Sequence, residues 1–200
     1  MGSDPVVEQL AEQLVATCRK AFQRGLVGGA GGNISVRIPD RNEVLITATG
    51  VSLGDIASET IVRVDLKGQL IEAQGNLRPS KEAGFHLAAY RLRPHVGAVV
   101  HLHPPFATAF AVRGQELPLV TDGSRTNLRH VPVVDPAPSG SPELHRLIEE
   151  ALHKYPEAKG ILLKEHGMFT MGPNLIVAYN LADLMEDTAK IALLSRLIPE

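Results

Sequence analysis

The run Val96-Gly97-Ala98-Val99-Val100 carries no polar side chain, ends in His101-Leu102-His103 and is halted by Pro104-Pro105. Apolar and rich in β-branched residues, it reads as a buried strand around which the rest of the chain has to be organised. Side chains two apart on a strand point the same way, about 6.5–7 Å apart along the chain, so the two imidazoles can converge on one ion. A prolyl pair cannot continue the ladder, which leaves the histidines at the strand's mouth, where a ligand can reach them. Two histidines do not make a metal site, and a third ligand has to come from elsewhere.

Before this strand, Asp4-Pro5 supplies an N-cap and an N1 proline for a helix whose apolar positions Val7, Leu10, Ala11, Leu14, Val15, Cys18 and Phe22 recur at helical spacing until Gly25. Gly28-Gly29-Ala30-Gly31-Gly32-Asn33 then holds four glycines in six residues and runs into the strand Ile34–Ile38. A dinucleotide fingerprint or Walker loop leaves a strand and opens a helix, so both nucleotide readings fail here. What remains is backbone that approaches a ligand closely, with N–H groups and the Asn33 amide suited to an anion such as phosphate. A hairpin partner, Val44–Ala48, leads to a second hydroxyl- and glycine-rich loop, Thr49-Gly50-Val51-Ser52. A further hairpin, Ile61–Asp65 with Gln69–Glu72, argues for an antiparallel portion of sheet.

Pro79-Ser80 is expected to start a helix running to residue 93, with Ser80 as N-cap and Glu82 in the first turn. Phe106–Ala111 reads as a short helix, and Val131–Val134 as one strand in a Pro- and Gly-punctuated stretch over 114–140. Ser141-Pro142-Glu143 opens a helix to about Lys154, with His130 and His145 expected at the surface. Gly160–Lys164 is a buried strand ending in Glu165-His166-Gly167, Met168–Met171 is its hairpin or continuation, and a last helix covers Leu175 to about Leu197. With no repeat, linker or low-complexity tract, residues 1–200 read as a single domain.

Net charge is −2 with no basic or acidic block, which points away from nucleic acid and from a membrane surface, and no stretch approaches the length of a membrane span. Met1–Asp4 lacks the cationic and apolar halves of a signal peptide, and the one cysteine, Cys18, lies in a helical core pattern; cytoplasm is the expected compartment.

His166 also follows an apolar strand and precedes a chain-turning residue. Three imidazoles from two strand ends leave room for water or substrate on a zinc ion, as in catalytic rather than structural sites. An all-β cupin barrel also uses a His-x-His pair, but the three long helical patterns are wrong for it.

Five segments in order, Gly32-Asn33-Ile34-Ser35, Thr47-Ala48-Thr49-Gly50, Pro79-Ser80-Lys81-Glu82, Val99-Val100-His101-Leu102-His103 and Leu163-Lys164-Glu165-His166-Gly167, resemble the class II aldolase and adducin family over nearly the whole chain. The resemblance implies a three-layer αβα sandwich around a mixed, largely antiparallel sheet. It implies one Zn2+ per subunit, or another divalent transition metal, on His101, His103 and His166, with Glu82 as catalytic base and resting-state ligand. It places a phosphate at Gly32, Asn33, Thr49, Gly50 and Ser80, with the Lys81 cation beside it, and a homotetramer as the assembly. Lys81 replaces the second serine of the aldolase pattern, as in the decarboxylase-like branch, and the chain ends at Ile198-Pro199-Glu200 without the tail tyrosine that serves as proton donor in the fuculose-phosphate enzyme.

The resemblance implies retro-aldol cleavage of a fuculose-phosphate-like ketose to dihydroxyacetone phosphate and an aldehyde, with metal-stabilised charge on an enediolate. Decarboxylation of a 3-oxo-tetronate 4-phosphate uses the same electron sink and is the alternative, followed by epimerisation of a ribulose phosphate at C4. An adducin-like binding module without catalysis is expected to lose the histidines or Glu82, and this chain keeps them.

Overall fold

The computed structural model describes residues 4–199; Met1–Ser3, the start of the stretch read for a signal peptide, and Glu200 lie outside the described residues. The first helix, α1, spans Pro5–Gln23, with the Asp4 carboxylate accepting from the Val6 N–H at its start. Strands β1 (Asn33–Arg37), β2 (Glu43–Thr47), β3 (Ile61–Asp65) and β4 (Leu70–Glu72) follow as a meander, then helix α2 (Ala83–Leu92). Strand β5 (Ala98–Leu102) precedes α3 (Pro105–Val112), α4 (Asp122–Leu128), β6 (Val133–Val134) and α5 (Pro142–Lys154). The chain closes with β7 (Gly160–Leu163), β8 (Gly167–Gly172) and α6 (Leu175–Ser195).

The strands form one sheet in the order β4-β3-β2-β1-β5-β8-β7-β6, antiparallel throughout except for the β6–β7 pair. The strand carrying the histidine pair is thus interior, flanked by β1 and β8, and all of its residues are buried. Alternation along the strands splits the apolar side chains between two cores. Ala98, Val100 and Leu102 pack with residues of α1, α3 and α6 on one face; Val99 packs with Phe85, Tyr90 and Ile148 from α2 and α5 on the other. The result is the expected three-layer α/β sandwich. By the same parity His101 points with Val99 to the α2 side.

Two local expectations are corrected. Helix α2 starts at Ala83, not at Ser80: Glu82 occupies the N-cap position without a side-chain cap bond, and Ser80 N–H is taken by Thr47 C=O at 3.1 Å. Pairing with the neighbouring segment, continued by the Ala48–Pro79 bridge and by Thr49 N–H to Arg78 C=O at 3.0 Å, keeps residues 78–80 extended where capping alone would have wound them. The stretch 114–140 also contains a helix, α4, closed by reciprocal bonds between Thr121 and Ser124. That capping pair was visible in the sequence, but a glycine at 123 obscured it.

Candidate active site

Sheet register does most of the assembly. Asn33 is the ladder partner of His101 across β1–β5, and Phe169 is its partner across β5–β8, so all three side chains share the α2 face. The Phe85 ring from α2 meets His101 edge-on at a centroid distance of 5.4 Å, and Phe169 at the same distance, walling His101 with aromatic carbon. His103, just beyond the strand, turns back until its Nε2 is 2.9 Å from His101 Nε2. His166, from the β7–β8 turn, brings its ring centroid to 4.8 Å from that of His101 and 5.0 Å from that of His103. One ligating nitrogen from each of the three lies within 4.8 Å of the others.

Glycines clear the space for this. A Cβ on Gly31 would fall 2.8 Å from His103 Nδ1, and one on Gly167 would fall 2.6 Å from both His103 Cδ2 and the Leu102 carbonyl. Gly32 combines φ +72° with a carbonyl contact, since a Cβ there would lie 2.9 Å from His101 C=O.

Glu82 closes the cluster. Its Oε2 lies 3.2 Å from His101 Nε2 and accepts from Asn33 Nδ2 at 2.8 Å; its Oε1 lies 3.2 Å from His166 Nε2 and accepts from Ser139 Oγ at 2.6 Å. Burial alone would raise its pKa. The hydrogen bond and electrostatic attraction of His101, with the bonds from Ser139 and Asn33, outweigh burial and hold the carboxyl well below the usual carboxylate range. Burial, reinforced by the other imidazoles, pushes His103 down to about 3 and His166 to about 4, so both are neutral at neutral pH.

The donor set suits a divalent transition metal. His101 Nδ1 faces the Met168 carbonyl at 2.9 Å, and a carbonyl only accepts, so Nδ1 carries a proton and Nε2 is the atom turned toward the cluster. Imidazole nitrogens crowded toward one another with an anionic carboxylate beside them are a ligand set suited to a cation. An all-oxygen cage for calcium or magnesium is not what the residues offer.

The expected anion loops border the same space. A cavity of about 290 Å³ is lined by Gly31, Gly32, Asn33, Thr49, Gly50, Ser80, Lys81 and Glu82 together with His103 and His166. Every residue singled out from the sequence except the buried His101 therefore reaches one cavity, and His101 forms its floor through Glu82 and His103. Asn33 differs from expectation in one respect: its amide N–H is committed to Glu82, and its buried Oδ1 has no partner among the described residues.

Three residues escaped the sequence reading. Ser139 sits in the 114–140 stretch, which has no periodic pattern to anchor it. Glu186, on α6, accepts from the Phe106 and Ala107 N–H groups at 3.1 and 2.8 Å and so caps α3, pinning the prolyl turn that follows His103. No local signal separates it from the other charges of α6. His145, expected at the surface, is half-buried: its ring fills the space over Gly84, where a Cβ would lie 2.3 Å from His145 Cε1.

Residues 12–193 match the family described as Class II Aldolase and Adducin N-terminal domain. An L-fuculose phosphate aldolase of Methanococcus maripaludis is 34% identical over 179 residues, covering 90% of this chain and 93% of that protein. A 3-oxo-tetronate 4-phosphate decarboxylase of Haemophilus influenzae is also 34% identical, over 182 residues, covering 90% and 85%. A solved L-fuculose 1-phosphate aldolase superposes with a TM-score of 0.88 at 28% identity, covering 96% of this chain and 88% of the other.

Proposed function

The chain belongs to the class II aldolase and adducin family, and on that premise we propose that it is a metal-dependent lyase that cleaves a C–C bond of a small phosphorylated ketose, giving dihydroxyacetone phosphate and an aldehyde. The observation that carries this reading is the polar cavity in which Glu82 stands between the histidine cluster and the anion loops. Zinc, held by His101, His103 and His166, is the metal proposed. When bound, such a cation supplies a Lewis acid for the negative charge that develops on the substrate oxygens.

The residues divide the remaining work. Backbone N–H groups at Gly32 and Gly50, the hydroxyls of Thr49 and Ser80, and the Lys81 ammonium bind the phosphate and fix the ketose by its charged end. The free Oδ1 of Asn33 accepts from a substrate hydroxyl. Glu82, ionised in the resting site, takes up the proton that leaves the hydroxyl on the carbon becoming the aldehyde as the C–C bond breaks, and returns it to the carbon that becomes the hydroxymethyl group of dihydroxyacetone phosphate. In the family's homotetramer, proposed here as well, a neighbouring subunit closes the open side of the cavity.

One observation favours a second reading. Lys81, exposed on the cavity rim beside the phosphate loops, offers a cation to a carboxylated substrate, and the same centre then serves decarboxylation of a 3-oxo-tetronate phosphate. Metal analysis followed by a panel of sugar phosphates, with separate readouts for dihydroxyacetone phosphate and carbon dioxide, tests both. Aldehyde with dihydroxyacetone phosphate supports cleavage; carbon dioxide without aldehyde supports the second reading; turnover that survives exhaustive chelation sinks both.

A further inference from the structure

The loop between β6 and α5 touches the site at two consecutive residues. Gly140 packs on Lys81, and Ser139 reaches Glu82, so neighbours in one segment meet neighbours in the other. The loop is built for this. Ser141 N–H bonds to Pro138 C=O at 2.9 Å, closing a four-residue turn whose third residue, Gly140, has φ +73°, the position at which a type II turn demands a positive φ. A Cβ on Gly140 would also lie 3.0 Å from the Lys81 carbonyl, so both backbone conformation and close approach exclude a larger residue. Prolines at 136 and 138 stiffen one arm. Ser141 anchors the other by accepting from Leu144 N–H at 3.1 Å as the N-cap of α5.

We infer that Ser139 is a positioning residue for Glu82: its hydroxyl holds one carboxylate oxygen while the Asn33 amide holds the other, so a loop and a strand end from distant parts of the chain aim the group that moves the proton. The inference rests on the role given to Glu82 above. The two clamps are matched: each oxygen faces one neutral donor, at 2.6 Å from Ser139 or 2.8 Å from Asn33, and one imidazole nitrogen at 3.2 Å. Without Ser139, Oε1 keeps only the contact to His166, and the carboxylate is free to rotate about its last bond toward that ring. Ser139 itself is exposed at the cavity mouth, so nothing in the core depends on its side chain.

The test combines turnover with a readout that needs none. Ser139→Ala should lower kcat by about ten- to a hundredfold, the usual loss when a partner of a ligand or catalytic group is removed, with KM within about twofold; Ser139→Thr, which keeps the hydroxyl, should recover most of the loss. Independently, Zn2+ titration of the metal-free protein should show Ser139→Ala weakening Kd by about tenfold in the parent and by less than about twofold in a Glu82→Ala background, because the effect travels through the carboxylate. Equal shifts in both backgrounds, or an unchanged Kd, would overturn the inference. If the parent turns over no sugar phosphate, the lyase reading fails while the Zn2+ cycle still decides the role of Ser139.

Discussion

Asn33 and His101 stand directly opposite one another in the β1–β5 ladder, and both reach the same oxygen of Glu82. A slip of one residue in that register would put the two side chains on opposite faces of the sheet, so the backbone pairing itself brings them together.

Asn33→Asp tests this pairing with almost no change of shape. It replaces a donor by an acceptor 2.8 Å from a buried carboxylate oxygen. The metal-free protein should lose about 1–3 kcal/mol of stability in urea unfolding, the range for an unsatisfied or repelled buried polar group. No loss would mean that Asn33 is not what holds Oε2.

Metal ligation and proton movement should separate by substitution. His101→Ala is expected to strip the metal, weakening its binding by more than about 100-fold, beyond what loss of an outer-sphere partner costs. Glu82→Gln should retain metal yet lower turnover by about 10²–10⁴-fold, the range of general acid–base catalysis. A metal-free, fully active His101→Ala protein would defeat the mechanism.

Gly32→Ala should destabilise the protein by about 1–3 kcal/mol, since alanine at φ +72° is strained and its Cβ presses on the His101 carbonyl. Gly28→Ala, with open space and no positive φ, is the control and should be nearly silent. Thermal unfolding of the two variants makes the comparison.

Acid should unfold the protein partly through His86. This ring, fully buried, bonds through Nδ1 to Ser35 Oγ at 2.8 Å, and Ser35 also meets Tyr90 OH at 2.8 Å. Burial, with His101 nearby, pushes His86 down to about 3 from the ordinary 6.5. Between those values the unfolded chain holds a proton that the folded protein does not. The His86 contribution is therefore complete above pH 6.5 and is lost as pH falls toward 3, by up to about 1.4 kcal/mol per unit. His86→Phe should reduce proton uptake on unfolding at pH 5 by about one, measured from the pH dependence of urea midpoints in chelator; an unchanged slope would refute the assignment.

Much of this was legible in the chain because it is written in strand ends. His101 and His103 close an apolar run that Pro104 stops, His166 lies at the end of another that Gly167 turns, and period-two spacing leads the first two to be expected on one face. Glycine density marked the loop at 28–32, where the backbone at Gly31 and Gly32 does come close to His103 and His101. The start of α2 was misplaced because a serine after proline satisfies capping chemistry equally well in an extended segment, and only tertiary pairing with Thr47 and Thr49 decides between them. Ser139 and Glu186 were invisible for the same reason: each acts on a group 57 or 79–80 residues away, and nothing local announces such a contact.

Lys81 and Glu82 are adjacent in the chain, yet one is exposed on the rim and the other is sealed beneath it by four polar contacts. A replacement at 82 disturbs every element that meets there, whereas a replacement at 81 changes the charge that an arriving molecule encounters and the side-chain stem beside Gly140. The charge at the rim can therefore vary while the four contacts that hold Glu82 stay as they are.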